Sequence, residues 1–132
     1  MGLQSKKRIL LVCMGNICRS PTAEGVLKKI IKNSGLEMFI EVDSAGTHGY
    51  HAGEPPDPRA IAAAAKRGYD LKGLRARKVR RDDFALFDLV LAMDRENVAT
   101  LMALCPPVYH PRIQLFLRYG RDTMQDEVPD AY

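Results

Sequence analysis

Cysteine is scarce in this chain. Three stand among 132 residues, at 13, 18 and 105. That is too few for a disulfide scaffold, and the spacing lacks the close pairs of a zinc site. The expectations are a reducing, cytoplasmic setting and no metal. Long apolar runs are missing as well. Nothing is long enough to span a bilayer. The N-terminal MGLQSKKRILLVCMG has an apolar stretch too short for a secretory signal, with no small-residue cleavage site after it. A myristoylated Gly2 would want Ser or Thr where Lys6 stands. No membrane partner is expected. Internal repeats and low-complexity segments are also absent, so one domain over residues 1–132 is expected. The chain is 46% hydrophobic and 27% charged, which suits a globule with a core of its own. Its formal charge of +4 suits an anionic substrate and would also suit nucleic acid.

Strands alternate with helices along the chain. RILLVC (8–13) is apolar without alternation, as in a strand buried on both faces of a parallel sheet. Ala23, Val26, Leu27, Ile30 and Ile31 then recur at helical spacing, with Lys28, Lys29 and Lys32 opposite. Ser20 is the expected N-cap, Pro21 the first helical residue and Gly35 the stop. MFIEVDSAG (38–46) reads as a second strand and THGYHAGEPP as a loop. Asp57 caps an alanine-rich helix with Pro58 at its start and Gly68 at its end. DLVLAM (88–93) is the third strand, Asp94 the cap of a helix over RENVATLMAL, and RIQLFL (112–117) the fourth strand. The pattern predicts a small α/β sandwich, a four-stranded parallel sheet flanked by helices. Ligands of such sheets bind beyond the carboxyl ends of the strands.

CMGNICRS (13–20) lies at that end of the first strand. It leads into a helix N-terminus, where free backbone N–H groups and the helix dipole favour an anion. Gly15 permits the tight turn that aims successive N–H groups inward. Arg19 adds a planar fork able to hold two phosphate oxygens. A cation is electrostatically misplaced at a helix start unless an anion sits beside it. Cys13 shares the same positive field, which favours its thiolate, and a thiolate facing a bound phosphate is a nucleophile facing phosphorus. The bland alternatives are a small core cysteine and a surface arginine. The ATP-type phosphate loop is excluded because the lysine of GxxxxGK is missing, and a dinucleotide fingerprint because two of its three glycines are. No cofactor is expected.

VCMGNICRSPTAE (12–24) resembles the signature of the low-molecular-weight protein tyrosine phosphatases. The likeness continues in DSAGT (43–47), PPDPRA (55–60), RARKV (75–79), DFALFD (83–88), LAMDREN (91–97) and VPDAY (128–132). It covers nearly the whole chain from Arg8. The resemblance implies the same four-stranded fold and the hydrolysis of phosphotyrosine through a phosphocysteine. Cys13 would be the nucleophile and Arg19 the phosphate clamp. Backbone N–H groups from Met14, Gly15, Asn16, Ile17 and Cys18 to Arg19 would hold the other oxygens. Ser20 would hydrogen-bond the thiolate, and Asn16, supported by Ser44, would fix the loop. Asp130 would be the general acid and then the base. Ile17 would be an apolar wall beside the leaving group, where protein-arginine phosphatases of this fold carry threonine. Tyr50 and Tyr132 would rim a cleft deep enough to exclude phosphoserine. Cys18 would trap an oxidised Cys13 as a disulfide. Phosphotyrosine proteins or peptides, inorganic phosphate and other oxyanions are the implied ligands.

The chain departs from the family pattern in three places. Ala131 stands where a proline is usual, which should loosen the acid's loop. Leu74 stands where many relatives carry a histidine that supports Asn16. A further helix follows position 132 in relatives, so one face of the sheet is expected to lose its cover. A thiol-dependent arsenate reductase needs relay cysteines, and none lies between Cys18 and Cys105. A catalytically weak phosphotyrosine binder would be told apart by turnover. KGLRARKVRR (72–81) is the case for nucleic acid. It has no interleaved aromatics for base stacking, so nucleic acid is not the expected partner. Steering of acidic phosphoprotein substrates is the other use for that run.

Overall fold

A computed structural model describes residues 6–119 and 127–129. The elements are β1 (Lys7–Cys13), α1 (Arg19–Asn33), β2 (Ile40–Gly46), α2 (Pro58–Lys66), a one-turn α3 (Asp83–Leu86), β3 (Leu89–Ala92), α4 (Arg95–Leu104) and β4 (Ile113–Leu115). Tight 3-10 turns run over Pro107–Arg112 and Phe116–Tyr119. The four strands are parallel, in the order β2-β1-β3-β4. β1 is therefore central, and its unbroken apolar run has a purpose on each face. Leu10 and Val12 pack with Val90, Phe84 and Leu101 on the α3 and α4 side. Leu11 and Cys13 pack with Ile31, Val42 and Met93 on the α1 side. The crossover order puts the carboxyl ends of β1, β2 and β3 side by side: Cys13 lies opposite Gly46, and Val12 opposite Ala92.

Two of the expected caps form. Asp57 accepts from the Arg59 N–H at 2.8 Å, and Asp94 from the Asn97 N–H at 2.8 Å. Gly35 (φ 70°) and Gly68 (φ 86°) follow their helices in the left-handed conformation that suits a residue without a side chain. The start of α1 differs from expectation. Its N-cap is Cys18, Arg19 is the first helical residue, and Pro21 is the third. Ser20 is already inside the helix, because its hydroxyl is engaged with Cys13 and not with the helix's own N–H groups.

β2 begins at Ile40, not at Met38, since Phe39 and Ile40 donate back to the Leu36 carbonyl in a turn that closes α1. β4 is three residues long, and Phe116 leaves it into a 3-10 turn. The α3 turn carries no periodic signal long enough to read. Phe84, fully buried, is its anchor. Among the described residues no helix is long and apolar enough to cross a membrane.

Candidate active site

The loop between β1 and α1 wraps around one thiol. The Sγ of buried Cys13 lies 3.0 Å from the Ser20 Oγ and 3.3 Å from the backbone N of Asn16. Asn16 has φ 58°, the left-handed region that asparagine tolerates better than most residues. Its side chain locks that conformation from three directions. Nδ2 donates to the Ser20 Oγ at 2.8 Å and to the Ser44 Oγ at 2.9 Å, and Oδ1 accepts from the Arg77 N–H at 2.9 Å. A fully committed amide, 2% exposed, cannot rotate without leaving buried polar groups unpaired. Leu74 contributes none of these bonds, so the loop's anchor does not depend on a histidine there.

The end of β2 presses against the same loop. The Thr47 N–H donates to the Cys13 carbonyl at 2.9 Å, and the His48 N–H to the Met14 carbonyl at 3.0 Å. A Cβ at Gly46 would lie 2.7 Å from the Met14 carbonyl oxygen, a backbone atom with nowhere to go. Glycine is required here for close approach, not for its φ.

Arg19 is a buried cation, its side chain 5% exposed. Nη1 donates to the Asp94 Oδ2 at 2.6 Å and to the Val128 carbonyl at 3.0 Å. Asp94 thus serves two partners, capping α4 through Oδ1 and orienting Arg19 through Oδ2. Val128 is also tied to the scaffold, its N–H donating to the Met93 carbonyl at 2.7 Å. Beneath the loop, the Ser44 hydroxyl donates to Glu24 Oε1 at 2.5 Å, and Glu24 Oε2 pairs with Lys28 at 2.5 Å. Glu24 is a carboxylate only 3% exposed, with both oxygens engaged. Arg77 carries its own supports. Burial works against its charge, but hydrogen bonds and charge from Asp83 and then Asp43 outweigh that and raise its pKa above the ordinary arginine value. Cys105 belongs elsewhere: burial pushes its thiol pKa up, in the α4 side of the core.

Above Cys13 opens a cleft of about 790 Å³, to which Ile17, Cys18, Arg19 and Tyr50 all contribute. Its opposite wall is the 54–58 segment, with Pro55, Pro56 and Pro58. Asp57 stands in that wall; the hydrogen bond from the Arg59 side chain holds its carboxyl below the usual range. Tyr50 is 76% exposed at the mouth and stacks on His48, ring centroids 5.2 Å apart. The Cys13 thiol, a helix N-terminus and a guanidinium therefore face a single opening of mixed apolar and polar character. Such a site can hold a tetrahedral oxyanion against sulfur.

Of the residues expected at the site, Cys13, Met14, Gly15, Ile17, Cys18, Arg19 and Tyr50 line the cleft, and Asn16, Ser20 and Ser44 form the hydrogen-bonded layer under it. Asp130 and Tyr132 lie outside the described residues. Sequence reasoning missed Glu24, the Arg19–Asp94 pair, the proline wall and His51, which also lines the cleft. The i,i+4 spacing of Ser20, Glu24 and Lys28 was the available sign of a shared helix face. Asp94 was legible only as a cap, although β3 ends where β1 ends.

A parallel α/β sandwich with a buried cysteine at the end of its first strand and an arginine at the head of the helix that follows defines the class. The family model described as low molecular weight phosphotyrosine protein phosphatase matches residues 8–132. The phosphatase of that name from Schizosaccharomyces pombe is 39% identical over 126 residues, covering 95% of this chain and 80% of that protein. A solved protein tyrosine phosphatase of Entamoeba histolytica, with Hepes in its active site, matches with TM-score 0.91 and 40% identity over 95% of this chain and 80% of that one. Vibrio vulnificus Wzb in complex with benzylphosphonate matches with TM-score 0.82 and 29% identity over 97% of this chain and 83% of that one. The chain belongs to the low molecular weight phosphotyrosine protein phosphatase family.

Proposed function

We propose that this chain hydrolyses phosphotyrosine in proteins and peptides through a phosphocysteine, with Cys13 as nucleophile. The observation that carries the reading is the thiol itself: Sγ sits 3.0 Å from the Ser20 hydroxyl and 3.3 Å from the Asn16 N–H, at the head of α1, in the cleft that Arg19 also lines. The thiolate attacks phosphorus while Asp130 gives its proton to the departing tyrosyl oxygen. Asp130 then takes a proton from the water that attacks phosphorus, the S–P bond breaks, and phosphate and thiolate are released. Arg19 and the N–H groups from Met14 to Arg19 hold the non-bridging oxygens in both steps. Ser20 donates to the departing thiolate, and Asn16 with Ser44 keeps the loop in shape. Ile17 and the rims Tyr50 and Tyr132 flank the aromatic ring. Inorganic phosphate and other oxyanions are ligands of the same loop, as the sulfonate and phosphonate named for the solved relatives suggest. A nucleophilic Cys13 must stay reduced, so the reading includes a cytoplasmic setting.

The test is turnover of a phosphotyrosine peptide beside phosphoserine and phosphoarginine peptides of the same sequence. Phosphotyrosine alone should be hydrolysed; equal turnover of phosphoserine would remove the deep-cleft argument. In the same assay Asp130→Asn should lose about 10²–10⁴ in kcat. Loss of less than about tenfold would mean that another group carries the proton.

The reading extends to Cys18. Peroxide converts the Cys13 thiolate to a sulfenic acid; the Cys18 thiol displaces water from it and leaves a disulfide. Treated protein is expected to lose activity and regain it with a thiol reductant, and peptide mapping should find Cys13 joined to Cys18. Irreversible loss, with Cys13 recovered as the sulfinic acid, would contradict the protective role.

A further inference from the structure

Residues 75–81 form a cationic ledge beside the mouth of the cleft. Ala76 and Val79 are buried and anchor the segment, Lys78 makes an isolated bridge to Gly46, and Arg75, Lys78, Arg80 and Arg81 are exposed. The ledge is joined to the loop that walls the cleft by backbone hydrogen bonds. The Ala76 N–H donates to the Glu54 carbonyl at 2.8 Å, and the Gly53 N–H to the Ala76 carbonyl at 2.7 Å. The Gly46 N–H donates to the Arg77 carbonyl and the Val79 N–H to the Gly46 carbonyl, both at 2.8 Å. The alkyl stem of Lys78 lies over Gly49, next to the rim residue Tyr50; a Cβ at Gly49 would be 3.6 Å from the Lys78 Cδ. The ledge is thus as firmly positioned as the cleft wall itself.

Its charges are available in a way that its neighbours' are not. Arg77 is consumed by Asp43 and Asp83. The carboxylates on the cleft wall are engaged locally, Glu54 with His51 and Asp57 with Arg59. Arg75, Lys78, Arg80 and Arg81 form no ion pair among the described residues. Like charges gathered on one rigid edge repel one another, and an acidic partner relieves that repulsion.

We propose that this ledge binds acidic side chains flanking the phosphotyrosine, so that the preferred substrates are acidic phosphotyrosine polypeptides. The inference rests on the proposed reaction in the cleft. Charge complementarity names the occupant: a chain whose phosphotyrosine reaches Cys13 must pass over the rim. Beside the rim stand Lys78, its stem against Gly49, and Arg75, whose guanidinium is held by the Lys72 and Leu74 carbonyls and has no carboxylate partner among the described residues. Arg80 and Arg81 extend the surface away from the mouth, and the exposed Asp82 marks its limit.

The test compares two phosphotyrosine peptides of equal length, one with Glu and Asp around the phosphotyrosine and one with Gln and Asn. The acidic peptide should have the higher kcat/KM by roughly threefold to tenfold at low salt, as expected for a few exposed ion pairs. The gain should appear in KM and vanish at about 0.5 M salt. In the Arg75→Glu, Lys78→Glu double variant the ratio should fall to about one or invert. A ratio near one in the parent protein, or a ratio unchanged in the variant, overturns the proposal. A small aryl phosphate separates the two readings. If it is not hydrolysed, the reaction has been misread, and fluorescence anisotropy with the same two peptides, labelled, reads the ledge by binding alone. Duplex DNA is the third arm: binding tighter than that of the acidic peptide at about 0.15 M salt would overturn the proposal in favour of nucleic acid.

Discussion

Cys13→Ser is expected to reduce turnover of a phosphotyrosine peptide by about 10⁴-fold or more. The substitution is nearly isosteric, so the loop should keep its shape. The Asn16 side chain remains held by its bonds to Ser20, Ser44 and the Arg77 N–H, and a serine oxygen can take the sulfur's place beside the Ser20 hydroxyl and the Asn16 N–H. What is lost is ionisation. A serine hydroxyl beside the same N–H groups stays protonated at neutral pH. The binding function should survive, because the amides and Arg19 are untouched. Calorimetric titration with inorganic phosphate alongside single-turnover kinetics separates the two. A variant that binds phosphate and does not turn over supports the nucleophile. Residual activity within about a hundredfold of the parent would mean that Cys13 is a core residue and the chemistry lies elsewhere.

Arg19→Lys is expected to lower kcat/KM by about 10³-fold or more, the scale of other arginines that neutralise a transferring phosphoryl group. Lysine keeps the charge and loses the fork. The arginine side chain reaches Asp94 at 2.6 Å and the Val128 carbonyl at 3.0 Å while lining the cleft. A single ammonium cannot meet those partners and a phosphate in fixed planar geometry. Alanine would be the poorer test, because it leaves the partly buried Asp94 without its cation, and breaking such a pair destabilises the fold directly. For the lysine variant both kcat and the affinity for phosphate should fall, since the dianion is present in the ground state and the transition state alike. Thermal melting beside the kinetics shows whether the fold is intact. An intact variant within about tenfold of the parent would remove Arg19 from the phosphate site.

The local elements were legible because their causes are local. The unbroken apolar run 8–13 announced a strand buried on both faces, and Asp57 and Asp94 announced helix starts with their own side-chain caps. Position at the end of the first strand was enough to single out the loop, since parallel sheets open at that edge. Errors came where a side chain had a distant partner to prefer. Ser20 has the chemistry of an N-cap, but Cys13 and Asn16 claim its hydroxyl, so the helix starts two residues earlier. Met38 and Phe39 have strand propensity, yet the closing turn of α1 takes their backbone.

By itself, then, the sequence determined the α/β alternation and the place of the loop that carries Cys13 and Arg19, between the first strand and the first helix. These follow from periodicity, capping chemistry and residue type, all of which act over a few positions. Only the tertiary structure decided how the loop is held. Asn16 meets Ser44 across 28 residues and the Arg77 N–H across 61, and Arg19 meets Asp94 across 75. Glu24 became a buried carboxylate because β2 lies beside β1, and Gly46 became indispensable because the Met14 carbonyl passes under it. The physical reason is that a hydrogen bond or close contact between distant segments depends on strand order and register. Those are set by the packing of the whole sheet, and no short stretch of residues contains them.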